Sequence, residues 1–96
     1  MFIINITYIA QLEKIDQYLA EHVQFLNKQY ELRNFLTSGR KVPRTGGIII
    51  SDVAVKSDLK KIIEKDPFYI NELAEYELIE FVPSKTSEEL KFLMKD

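Results

Sequence analysis

The sequence predicts an α+β domain in which two main helices cover one face of a four-stranded antiparallel sheet. Apolar residues alternate at period two over much of residues 2–9 and 76–82, the pattern of half-buried strands. Between residues 12 and 32 they recur every three or four positions, the pattern of an amphipathic helix. The full order is strand, helix, strand, strand, helix, strand, with one short helix added at the C-terminus. That order is a split βαβ arrangement, and right-handed crossovers put both main helices on the same side of the sheet.

Each element has a local reason. Residues 2–9 set Phe2, Ile4, Ile6 and Tyr8 on one face and Ile3, Asn5, Thr7 and Ile9 on the other, with many β-branched side chains. Both faces carry apolar groups, so both are expected to be covered. In the first helix, Leu12, Ile15, Leu19, Val23, Leu26 and Tyr30 form one apolar arc. His22 falls at the edge of that arc, and the pattern allows one break near Lys28. Residues 34–42 predict a second strand, Pro43, Gly46 and Gly47 mark a hairpin connection, and Ile48 to Ile50 predict a central strand covered on both faces. Ser57 is the expected N-cap of a helix reaching about Lys65, with Leu59, Ile62 and Ile63 inward. Asp66 caps a further turn whose first position is Pro67, where a missing N–H loses nothing. Pro83 ends the fourth strand, and residues 87–94 predict a short helix with Leu90, Leu93 and Met94 on one side. The whole is a ferredoxin-like βαββαβ domain with an extra C-terminal helix, a single domain over residues 1–96.

Composition bounds the function. The formal net charge is −2, so neither nucleic acid nor an anionic membrane surface is an expected partner. The chain has no cysteine, which excludes disulfides, thiolate metal sites and thiol catalysis. Its one histidine excludes a His-rich metal site within one subunit, and no metal or cofactor is expected. The apolar N-terminus lacks a basic region and a cleavage site, and no apolar run nears the roughly 20 residues of a membrane helix. A cytoplasmic location is the expectation. The sheet face without helices would carry too much isoleucine, phenylalanine and tyrosine to remain in water. A homodimer packed sheet to sheet is therefore expected, since a domain of this size gains from a subunit interface.

Several short stretches carry a resemblance when taken in order: His22 to Leu26, Phe35 to Gly39, Pro43 to Ile50, Asp66-Pro67-Phe68, and Ala74 to Pro83. Together they resemble the YciI-like (YCII-related) family over nearly the whole chain. The resemblance implies a ferredoxin-like subunit that pairs as a dimeric α+β barrel. It implies an active site on a His–Asp pair, which maps onto His22 and Asp66, and a Ser-Gly motif that maps onto Ser38 and Gly39. The wider superfamily includes muconolactone isomerase-like enzymes acting on small ring compounds, so a lyase or isomerase is the implied type. One departure is that Gly39 is followed by Arg40, where the family often has Gly-Pro.

Read as residues alone, these positions also have plainer roles. Asp before Pro at a helix start is what capping selects, and a lone histidine beside an apolar arc is usually packed and hydrogen-bonded. Paired, however, the carboxylate would hold the imidazole in one tautomer as a better base. Ser38 lacks a nucleophile-elbow motif and suits a ligand hydrogen bond. Arg40, Lys41 and Arg44 make a basic loop that is either solvated or an anchor for an anion, with Thr45 beside it. Two function classes follow: a small enzyme using His22 and Asp66 on a small anionic or ring metabolite, and a non-catalytic dimer that binds or senses such a molecule. RNA binding by the same strand order is disfavoured, because the third strand holds Gly46-Gly47-Ile48-Ile49-Ile50 where stacking aromatics would stand.

Overall fold

A computed structural model describes residues 1–94 of the chain. Its elements are β1 (Phe2–Tyr8), α1 (Leu12–Glu31), β2 (Phe35–Arg40), β3 (Gly46–Ser51), α2 (Lys56–Ile63), α3 (Pro67–Ile70) and β4 (Ala74–Glu80), followed by a 3₁₀ turn, Glu88–Leu93. The strands form one sheet in the order β2-β3-β1-β4, with every neighbouring pair antiparallel. This is the expected ferredoxin-like α+β architecture. No helix among the described residues is long and apolar enough to cross a membrane.

Alternation along β1 divides the two faces of the sheet. Phe2, Ile4 and Ile6 are buried towards the helices, together with Ile49 from β3 and Phe35 from β2. Ile15 and Phe25 of α1, Leu59 and Ile63 of α2, and Phe68 of α3 close over them. Burying each of these side chains contributes about 1.5–3 kcal/mol, and together they oppose the entropy of ordering the chain. On the opposite face the register sets Ile3 beside Ile50 and Ile79, and Asn5 beside Ile48 and Glu77. Ile48 and Ile50 are therefore only partly covered, and Ile79 is exposed.

The β1–β3 pairing is close enough to demand glycine. A Cβ built on Gly46 would lie 1.8 Å from the Ile6 carbonyl oxygen, a backbone atom that cannot turn aside. Any larger residue there would push the two central strands apart.

Several local expectations are corrected. Helix α1 runs unbroken through Lys28 and ends at Glu31, where Arg33 takes a left-handed conformation with φ of 62°. The N-cap of α2 is Val55 rather than Ser57, because the Val55 carbonyl already accepts the amides of Asp58 and Leu59. Strand β4 starts at Ala74, since Tyr8 of β1 is available to pair with it. The C-terminal segment is a 3₁₀ turn in which Leu93 is buried while Leu90 and Met94 stay exposed. The inward line of α1 is Ile15, His22, Phe25 and Gln29, so Leu12, Leu19 and Val23 are exposed. The helix is rotated because its two buried polar residues have partners: His22 bonds Asp66, and Gln29 accepts from Asn34.

Candidate functional site

Asp66 is where three elements meet. It is the N-cap of α3: its backbone carbonyl accepts the amides of Tyr69 and Ile70, and Pro67 occupies the first helical position. Its side chain is fully buried, at 0% exposure. Such a carboxyl needs a partner on each oxygen, because an unpaired buried acceptor or charge is costly. Oδ1 accepts from the Phe68 amide at 3.0 Å and meets His22 Nδ1 at 2.8 Å. Oδ2 accepts from the Tyr76 hydroxyl at 2.6 Å. One acceptor thus faces donors from α3, α1 and β4.

The imidazole is held in plane as well as by its edge. Its ring stacks on Phe68 with centroids 4.0 Å apart and an interplanar angle of 6°. Phe25 lies on it more obliquely at 6.3 Å. The residue that stacks on His22 is thus two positions after the one that bonds it, so the α3 turn sets both contacts. Because that carboxyl also accepts from an amide and a phenol, Nδ1 is the donor in this contact. Nε2 has no hydrogen-bond partner among the described residues.

A pocket of about 190 Å³ opens beside this ring. His22 and Tyr8 contribute to it, the apolar flank of α1 (exposed Leu19 and Val23 with half-buried Leu26) forms one wall, and Ile6 and Ile49 lie in its lining. Ser38, Gly39 and Arg40 of β2 and Gly46 and Gly47 of β3 complete it. The chain has three glycines and all three lie here. Ser38 shares a hydrogen bond with the Tyr30 hydroxyl of α1, which ties the end of β2 to the helix carrying His22.

The remaining predicted residues lie further out. Arg44 bonds Asp16 on α1, and that bond raises the guanidinium pKa and lowers that of the carboxyl. The exposed Thr45 directs its hydroxyl at the Pro43 carbonyl, 3.4 Å away, and its own carbonyl accepts the Tyr8 amide. Neither residue lines the pocket. Among the described residues no group of three metal-ligating side chains converges.

A family model for the YCII-related domain matches residues 1–82. The chain belongs to the YCII-related domain family. The matched region takes in His22, Ser38, Asp66 and the whole sheet of this YCII-related domain, and stops short of the 3₁₀ turn. A comparison with curated proteins found no match.

Tyr76 is the site residue that reading the sequence missed. It sat in plain alternation on a strand, and only the fold brings its hydroxyl to Asp66. Burial, followed by the charge of Asp66, pushes the Tyr76 pKa well above the ordinary tyrosine range, so the phenol stays a donor. Tyr76→Phe should lower stability by about 1.5–3 kcal/mol at neutral pH, the range for a hydrogen bond to a charged group. The phenol must stay neutral in the folded protein but ionises in the unfolded chain, so this contribution is complete below about pH 10 and declines above it. Urea unfolding of both proteins at neutral and alkaline pH checks this: the difference between them should shrink as the pH rises. A difference that grows would contradict the assignment.

Proposed function

We propose that this YCII-related domain binds a small anionic or ring-bearing metabolite in the pocket and acts on it by proton transfer, as an isomerase or lyase does. The observation that carries this reading is the 2.8 Å contact of His22 Nδ1 with buried Asp66, on a ring that also borders the pocket. His22 Nε2 would take a proton from a carbon next to a carbonyl or carboxyl group. The imidazolium would return it elsewhere on the same molecule, or to a departing group. Asp66 orients the ring and opposes the positive charge that builds on it, and Tyr76 holds Asp66. Ser38 would hydrogen-bond the ligand and Arg40 would draw its negative end, with Arg44 and Thr45 at the outer loop.

The working unit in this reading is a homodimer packed sheet to sheet. Its support is the open sheet face, where Ile3, Ile48, Ile50 and Ile79 lie together around Asn5. An interface of standard size, roughly 1,600 Å² in total, would remove these side chains from water. Sedimentation at micromolar concentration should give twice the chain mass, and Ile50→Glu should give the single chain mass with the fold retained. A wild-type monomer would remove the dimer from the account.

Turnover is tested by proton exchange. Small keto acids and unsaturated lactones incubated in D₂O should gain deuterium with the wild-type protein. His22→Gln should slow this by about 10²–10⁴-fold, the usual worth of a positioned acid–base group, with binding retained. Binding without exchange would favour the non-catalytic sensor. Exchange at an equal rate in His22→Gln would place the chemistry elsewhere.

A further inference from the structure

We infer that the ligand is a small carboxylate with an apolar body, and that Asp16 competes with it for Arg44. The inference rests on the anion-binding reading above and names both the ligand class and the residue that sets its affinity. Arg44 already holds a carboxylate: its Nη2 donates to Asp16 Oδ1, across from the β2–β3 loop to α1. The two side chains are 31% and 54% exposed, so the pair stands in solvent rather than in the core. Exposed pairs of this kind add little to stability and are screened by solvent, so they exchange readily. Arg44 meets Asp16 through one nitrogen, whereas a free carboxylate can take the guanidinium fork with both oxygens.

Tyr8 connects this pair to the pocket. Its backbone amide donates to the carbonyl of Thr45, the residue after Arg44, at 2.9 Å, and Tyr8 also lines the cavity beside His22. The wall between is apolar, formed by Leu19 and Val23, and Leu19 lies one turn beyond Asp16 on α1. Arg44 stands outside the lining, so a molecule in the pocket would extend past Leu19 and Val23 to meet the cation. A volume of about 190 Å³ suits a single ring with a one-carbon acid group. When such an acid binds, Asp16 is displaced and Arg44 closes over the new carboxylate.

The unusual consequence is one of sign: removing a charge from the protein should tighten binding. Benzoate is the probe, benzamide its neutral counterpart, and the amides of Gly39, Gly46 and Gly47 report on the pocket in ¹⁵N-labelled protein at low ionic strength. Asp16→Asn should bind benzoate about two- to fivefold tighter than wild type, the scale of an exposed ion pair. Arg44→Ala should bind it at least about tenfold more weakly, and benzamide should be indifferent to both changes. Benzoate affinity in Asp16→Asn equal to or weaker than wild type would overturn the competition while leaving the anion pocket standing. Glycine amides that fail to move with benzoate in all three proteins would overturn the anion-binding reading, and the inference with it.

Discussion

A carboxyl group that no water reaches must find its hydrogen bonds inside the protein, and Asp66 finds them on three separate elements. The Phe68 amide comes from the turn that Asp66 itself caps, His22 from α1, and Tyr76 from β4. Each donor constrains its element. The His22 contact fixes the rotation of α1 and its approach to α3. The Tyr76 contact fixes the height of α3 above the sheet. A half-satisfied network here would be worse than an apolar core, so the three contacts are expected to form together or not at all. The stacking of His22 on Phe68 adds a planar restraint to the same junction. The site and the helix layer therefore have one physical origin.

The pocket follows from what α1 does not bury. Turning His22 and Gln29 inward leaves Leu19, Val23 and Leu26 on the flank, and these become the pocket wall. The opposite wall is thin because Gly39, Gly46 and Gly47 stand where β2 and β3 pass beneath it. At Gly46 the absence of a side chain is forced by the Ile6 carbonyl. At Gly39 nothing lies within 4 Å of a Cβ, so the space there is open. Strand pairing and access to the ring are thus served by the same small residues.

Much of this was legible in the sequence. Period-two and period-three-to-four spacing fixed the element order, and Asp66-Pro67 announced a helix start. The edge position of His22 pointed to a boundary role. The parts that were not legible depend on tertiary partners. An apolar wheel averages all its members, so it could not show that a buried histidine and glutamine would draw α1 round by about one residue's turn. Tyr76 carries no local signal, because a tyrosine on an alternating strand packs in most proteins. Ser57 looked like a cap, yet the Val55 carbonyl starts that helix without one. Residues 87–94 had helical spacing but too few contacts to hold more than a 3₁₀ turn, with Leu93 as their buried anchor.

Chemistry at His22 requires that its Nδ1–H donate a hydrogen bond to Asp66 and that Nε2 stay free to act. The chain has one histidine, so its ring nitrogens can be read without assignment ambiguity. Long-range ¹H–¹⁵N correlation at about pH 8, where a free imidazole is neutral, distinguishes the two tautomers. The wild-type protein should show the Nδ1–H form with Nε2 unprotonated, and Asp66→Asn should lose that preference. A wild-type ring protonated mainly on Nε2 would mean that Asp66 does not hold it, and would contradict the account.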